Sequence, residues 1–386
     1  MKITRLLSLP DTGGRSCFLW GPRKTGKTTW LKQALPQAIY IDLLRTQTFA
    51  EYASRPALLA ERYDEWEESA RSWVVIDEVQ KVPQLLDEVH WLIENRAARF
   101  LLTGSSARKL RRGQGNLLGG RAWRRELKPL TLQEIRQPDW NLESIVHSGL
   151  LPSHFLAPQP SEELRAYVAD YLHNEVAAEA LTRNLPAFSE FLRVAALGCG
   201  EILNLENVAR EVGVSARAVA NYYDILEDTL LGERLPAWRQ KSSRRMVRGD
   251  KFYFFDPGVS NFLARRRPRT GTPEFGKSLE HLVWMELRAY QAYRQQDLEM
   301  HYWRTSNGQE VDFLLNGREV AVEVKSGRVH LTDCKGLSAL VDDGAVGQRI
   351  VVDLEEQPRR LQDRHGPIRV VPLGHFVDEL WAGRLL

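Results

Sequence analysis

Short apolar runs without polar alternation recur through the first part of the chain: CFLWG at 17–21, AIYIDL at 38–43, SWVVIDE at 72–78 and RFLLTGS at 99–105. Strands buried on both faces have this pattern, as in a parallel sheet covered by helices. Helical patterns such as 27–35 and 84–97 fall between them. The alternation over 15–140 predicts an α/β domain, with its ligand beyond the C-terminal ends of the strands.

The pattern then changes. Residues 160–198 read as helix-rich. At 204–238 a helix, a glycine-containing turn at Val212–Ser215 and a second helix succeed one another, which is the helix-turn-helix outline. Val208, Ala209, Val214, Val219 and Leu226 would form its small core. A basic loop (239–251) followed by the apolar KFYFFD (251–256) reads as a hairpin wing, so this region predicts a winged helix. RRRPRTGTPEFG (265–276) is charged and rich in Pro and Gly, which predicts a linker. Beyond it come a helix at 277–295 and strand-like runs EMHYWRT, EVDFLL and EVAVEVKS, then RIVVDL (349–354) and IRVVPL (368–373). No internal repeat or low-complexity tract interrupts the chain.

Composition narrows the class. A chain of 386 residues has room for two to four domains at roughly 100–200 residues each. Apolar content of 43% and charged content of 27% suit an ordinary globular protein. Cys17, Cys199 and Cys334 lie far apart in sequence, which argues against a disulfide framework or a Cys-rich zinc site and predicts a reduced, cytoplasmic setting. The N-terminal apolar run is too short for a signal peptide, and no stretch approaches the roughly 20 apolar residues that span a bilayer. Net charge is +3, but residues 234–269 carry eleven Arg or Lys against Asp250 and Asp256. That segment is +9 and the rest of the chain −6. A local basic stripe points to a polyanion such as DNA; a solvated surface is the alternative reading.

Gly21, Pro22, Arg23, Lys24, Thr25, Gly26, Lys27 and Thr28 match G-x-x-x-x-G-K-[ST], with an apolar strand leading in and a helix leading out, and Thr29 after them is a further candidate for nucleotide binding. Glycines let successive N–H groups face a phosphate, and the helix N-terminus adds its positive end. Lys27 would reach the β and γ phosphates of ATP, and Thr28 would bind Mg²⁺. WVVIDE (73–78) supplies the acidic partner: Asp77 for Mg²⁺, and Glu78 to orient or deprotonate the attacking water. Thr103, Ser105 and Ser106 offer hydroxyls at the end of the next strand, either to sense the γ-phosphate or to cap a helix. In GGRAWRREL (119–127), Arg121 is a candidate arginine finger, with Arg124 and Arg125 behind it. A plain surface role for Arg121 is the other reading. A finger acting on a neighbouring subunit implies a homo-oligomer.

Asp312, Glu323 and Lys325 fit the D…(D/E)-x-K arrangement of restriction-type nucleases. Residues 323 and 325 share one face of a strand, and Asp312 would lie on the partner strand of a hairpin turning at Asn316-Gly317. Asp312 and Glu323 could share Mg²⁺, with Glu280 on the preceding helix as a further ligand. Lys325 could position water or meet transition-state charge. Glu310 shares a face with Asp312. The same core can serve binding or structure instead of cleavage. In the helix 215–229, Arg217 and Asn221 could face DNA, while Asp224, Glu227 and Asp228 would repel it.

LWGPRKTGKTTWLK, VVIDEVQKVP, FLLTGSSARKL, YFFDPGVSNFL and YWRTSNGQEVDFLL, in this order, resemble the prokaryotic AAA-type ATP-binding proteins that carry a C-terminal domain of unknown function 4143. The resemblance implies an α/β multidomain chain: a P-loop AAA+-like parallel sheet, a winged helix and a restriction-endonuclease-like α/β domain. The expected boundaries are a P-loop ATPase domain at 1–140, a helical connector at 141–200, a winged helix at 201–264, a linker at 265–276 and a nuclease-like domain at 277–386. The expected activity is Mg²⁺-dependent ATP hydrolysis coupled to DNA binding or processing. A nucleotide-gated adaptor with a silent nuclease-like domain is the alternative.

Overall fold

The structure, a computed structural model, describes residues 3–9, 14–68, 70–105, 118–136, 141–169, 184–239 and 249–386. Ser106, much of the helix-rich stretch at 170–183 and the basic loop at 240–248 lie outside the described residues. Two compact units make up the chain: Lys2–Pro129 with Asp228–Leu231, and Leu130–Glu227 with Gly232–Leu386.

The four apolar runs of the first unit are strands β1 (Ser16–Trp20), β2 (Ile39–Asp42), β3 (Val74–Asp77) and β4 (Phe100–Gly104). A fifth, β5 (Ala122–Glu126), completes an all-parallel sheet in the order β2-β3-β4-β1-β5. Every residue of β1, β3 and β4 is buried, as unbroken apolar runs require. Helices Lys27–Ala34 and Leu85–Arg96 match the expected helical stretches. The β4 strand lies between β1 and β3, so the C-terminal ends of the strands before Gly21, Asp77 and Ser105 stand side by side.

In the second unit, helices Leu205–Val212 and Ala216–Asp228 are joined through Gly213, whose φ of 73° is the left-handed value a glycine takes without a Cβ penalty. Ala209, Val219 and Leu226 are buried as the sequence suggests, while Val208 and Val214 are half-buried. An antiparallel pair, β6 (Gly232–Leu235) and β7 (Lys251–Phe254), follows. The motif YFFDPGVSNFL has a structural explanation. Asp256 caps the helix Pro257–Leu263 by accepting from the Val259 N–H at 3.0 Å, and it also accepts from the Leu150 N–H at 2.7 Å. A Cβ on Gly149 would sit 2.1 Å from the Asp256 carboxylate, so only glycine fits there.

The helix expected from 277 starts earlier, at Pro273, with Thr272 as its cap, and runs to Arg294. It precedes a six-stranded mixed sheet of β8 (Met300–Arg304), β9 (Glu310–Leu315), β10 (Val320–Val324), β11 (Gln348–Asp353), β12 (Arg359–Asp363) and β13 (Gly366–Pro372), ordered β12-β13-β11-β10-β9-β8. The β9–β10 hairpin turns at Asn316 and Gly317, both with positive φ (48° and 71°). Glu286 of the long helix is buried. It accepts from the Leu132 N–H at 2.9 Å and from Trp381 Nε1–H at 2.6 Å, tying the start of this unit and its final helix, Leu373–Trp381, to one side chain.

Candidate functional site

Gly21 to Gly26 form a closed loop between β1 and the helix Lys27–Ala34. A Cβ on Gly21 would approach the Leu127 carbonyl to 2.5 Å, and Gly26 caps the helix with φ 88°. Thr25 Oγ1 donates to the Pro22 carbonyl at 2.8 Å. Lys27 is buried, with Nζ donating to the carbonyls of Gly21 (2.7 Å) and Pro22 (3.0 Å). Burial lowers its pKa to about 8, against the opposing charges of Glu78 and Asp77. Lys24 and Thr29 are exposed, and Arg23 is half-buried. Arg5 braces the loop from outside, donating to the carbonyls of Thr25 (2.9 Å) and Lys128 (2.6 Å).

Asp77 is the hub of the neighbouring strand ends. Thr28 Oγ1 donates to its Oδ2 at 2.7 Å, Tyr40 donates to the same oxygen, and Thr103 donates to Oδ1. Thr103 Oγ1 also accepts the Glu78 N–H at 3.1 Å. Glu78 sits in the left-handed region (φ 61°, ψ 45°), a conformation costly for a non-glycine residue and concentrated at functional sites. Gln80 donates to the Glu78 carboxylate and lies 3.4 Å from Ser105 Oγ. The Thr28 and Asp77 oxygens converge, which is the donor chemistry a hard divalent cation takes. Arg121 does not join this group. It precedes β5, whose first residue pairs with Ser16 at the start of β1, and it forms an exposed ion pair with Glu94.

In the second unit, β9 and β10 bring Asp312 beside Glu323, continuing the register Val322↔Phe313. Asp312 Oδ2 accepts the Val324 N–H at 2.8 Å, and Lys325 pairs with Glu323 at 2.7 Å. Glu280 does not turn to either carboxylate as a partner for a metal. It binds Lys251 at 3.1 Å and accepts from Tyr253. Lys251 also pairs with Glu310 at 2.6 Å and is 3% exposed. Burial opposes its charge, yet Glu280, Asp312 and Glu310 outweigh that and hold its pKa above the usual lysine value. Burial, then Glu280, pushes the Asp312 carboxyl well above the carboxylate range. Among the described residues, no group of three or more His, Cys, Asp or Glu is arranged to hold a metal ion. The expected ligand set Glu280, Asp312 and Glu323 is therefore not assembled as a metal site: Glu280 pairs with Lys251, Glu323 with Lys325, and Asp312 accepts a backbone N–H.

Known families divide the chain in three. Residues 14–136 match the AAA domain, 139–270 a domain of unknown function (DUF8612) and 275–376 a domain of unknown function (DUF4143). The chain thus carries an AAA domain in its N-terminal part and a DUF4143 domain in its C-terminal part. The uncharacterized proteins Rv2008c of Mycobacterium tuberculosis and Mb2031c of Mycobacterium bovis are each 26% identical to it over 339 residues, 84% of this chain and 73% of theirs. Among solved structures, the ADP form of the Aeropyrum pernix ORC2 protein is similar at 14% identity and a TM-score of 0.30, over 59% of this chain and 81% of that one.

Sequence reasoning on the first unit missed Tyr40, Gln80 and Arg5. Tyr40 lies on β2, whose pairing with β3 sets Asp42 beside Asp77, so strand order alone could have flagged it. Gln80 lies in the quoted VVIDEVQKVP without being singled out there, and Arg5 carries no motif. In the second unit the missed residue is Lys251, within the DUF8612 match, which the sequence reading counts in the surface stripe and the structure buries. Arg234 of that stripe is likewise engaged, bound to Asp224 at 2.9 Å and to Glu227. Arg239, Arg265, Arg267 and Arg269 remain exposed, as do Arg217 and Asn221. The three cysteines are free and buried, and no helix of the described residues is long and apolar enough to cross a membrane.

Proposed function

We propose that the chain is a Mg²⁺-dependent ATPase of the AAA+ type that couples nucleotide state to DNA binding. The observation that carries this reading is the hydrogen-bonded run from Thr28 through Asp77 to Thr103 and the Glu78 N–H. It ties the phosphate loop to both acidic residues across three strand ends. The loop N–H groups and the N-terminus of the helix Lys27–Ala34 would bind the phosphates of ATP. Lys27, desolvated and already turned into the loop, would leave its two carbonyl acceptors for phosphate oxygens. Thr28 and Asp77 would hold Mg²⁺, which when bound supplies charge neutralisation for the β and γ phosphates. Glu78 would orient the attacking water, and Gln80 fixes its carboxylate.

Thr103 acts in this reading as a brace between Asp77 and Glu78, because its hydroxyl is already committed in both directions. DNA is the proposed partner of the helix Ala216–Asp228 and the following hairpin, read together as a winged helix. Two of the carboxylates that would repel phosphate, Asp224 and Glu227, both pair with Arg234, which offsets one of their two charges. ATP turnover by purified wild type and Lys27→Ala tests the core claim. The variant is expected to lose roughly 100-fold or more; equal turnover overturns it.

One observation favours a second reading for the C-terminal region, a binding adaptor without nuclease chemistry. Glu280 and Glu323 are each already paired with a lysine. Plasmid incubation with Mg²⁺ or Mn²⁺, with and without ATP, checks it: no cleavage is expected, and cleavage lost in Asp312→Ala and Lys325→Ala restores the nuclease.

A further inference from the structure

The carboxylates of the C-terminal sheet come from three elements: Glu280 from the long helix Pro273–Arg294, Glu310 and Asp312 from β9, and Glu323 from β10. Lys251 enters them from a fourth, as the first residue of β7. We infer that Lys251 is a built-in cation standing where a divalent metal would otherwise bind, so that the wild-type cluster takes no metal at Asp312. The inference rests on the adaptor reading and gives it a physical cause.

Geometry supports it first. The Lys251 ammonium is 3.1 Å from Glu280 Oε1 and 2.6 Å from Glu310 Oε1. Its position is fixed further: the ammonium lies over the Tyr302 ring, 5.4 Å from its centroid, the backbone bridges to Ile202, and Tyr253 donates to the same Glu280 oxygen. The second Glu310 oxygen is held by Arg304 at 3.0 Å. Lys325 holds Glu323 Oε1 at 2.7 Å. A metal bound between Asp312 and Glu280 would have to displace a buried ammonium, since Lys251 is 3% exposed.

Charge gives an independent argument. Glu280, Glu310, Asp312 and Glu323 face Lys251, Lys325 and Arg304, so the cluster is one negative charge in excess. Glu323 Oε2 is buried with no hydrogen-bond partner among the described residues, the one feature a metal would also satisfy. A single such oxygen is far short of the near-octahedral set of ligands Mg²⁺ demands. A dication beside two fixed ammonium groups would meet strong repulsion in this weakly screened site.

Mn²⁺ titration of the full chain without nucleotide, read by the electron paramagnetic resonance of the free ion, tests the inference. Wild type and Asp312→Asn are expected to bind Mn²⁺ alike. Lys251→Ala is expected to gain a site at least tenfold tighter than anything in wild type, and Lys251→Ala with Asp312→Asn to lose it again. A wild-type site that Asp312→Asn removes overturns the inference, and so does a folded Lys251→Ala protein that gains nothing. If circular dichroism finds Lys251→Ala unfolded, the comparison of wild type with Asp312→Asn decides alone. Failure here is separable from failure of the adaptor reading, because a protein that binds Mn²⁺ at Asp312 and cuts no DNA defeats only the first.

Discussion

At the scale of single residues, the nucleotide site depends on one hydroxyl with two duties. Thr103 donates to Asp77 and accepts from the Glu78 backbone, and it is fully buried. Thr103→Val keeps the shape but leaves a buried N–H without an acceptor, a cost of about 1–3 kcal/mol. It also releases the Asp77 carboxylate and the Glu78 backbone that the motif needs in register. Turnover is expected to fall roughly 10- to 100-fold, the scale of a misplaced catalytic group, with nucleotide affinity nearly unchanged and Thr103→Ser close to wild type. Steady-state kinetics with a fluorescent nucleotide binding assay separates the two effects. A Thr103→Val protein that lost affinity instead of turnover would favour direct phosphate sensing over the bracing role.

At the scale of elements, Glu286 shows how one buried group can set the pH response of a whole unit. Burial raises its pKa from 4.5 to about 7, while the Trp381, Leu132 and Gln133 donors pull the other way. The folded state therefore binds more protons than the unfolded one between those values, and this group's contribution is greatest below pH 4.5 and declines as pH rises to 7. Glu286→Gln removes the titration. Relative to wild type, it is expected to gain on the order of 3 kcal/mol between pH 4 and pH 8; a difference in urea unfolding that stays flat across that range would refute the assignment. Elements also mark what the sequence makes legible. β1, β3 and β4 are readable because burial on both faces leaves them mostly apolar, with Asp77 and Thr103 at or near their C-terminal ends, and the shorter β2 is half-buried. β5 (AWRRE) and β12 (RRLQD) are edge strands with charged positions, so their pairing is decided by neighbours far along the chain. The phosphate loop is legible because its chemistry is local. Lys251 is not, because its partners Glu280 and Glu310 arrive from a helix and a strand that the local pattern does not connect to it.

At the scale of the molecule, the position of Arg121 bears on whether the protein acts alone. The phosphate loop follows the C-terminal end of β1, and Arg121 precedes the N-terminal end of the parallel β5. Four to five residues of strand separate those two ends, roughly 15 Å at about 3.3 Å per residue. Arg121 is therefore out of reach of its own loop, and its pairing with Glu94 is an exposed contact that costs little to break. If it meets the transferring phosphate at all, it does so in a neighbouring copy. Arg121→Ala and Glu78→Gln should then each be inactive with nucleotide affinity retained, yet recover part of the turnover when mixed, because a mixed interface pairs an intact Glu78 from one subunit with an intact Arg121 from the other. Native mass measured with and without ATP should rise over the same concentration range in which turnover per subunit rises. Arg121→Ala at full activity removes the finger altogether. Two inactive variants that stay inactive on mixing, in a protein whose mass does rise with ATP, leave assembly in place but assign the neighbouring subunit's contribution to a different residue.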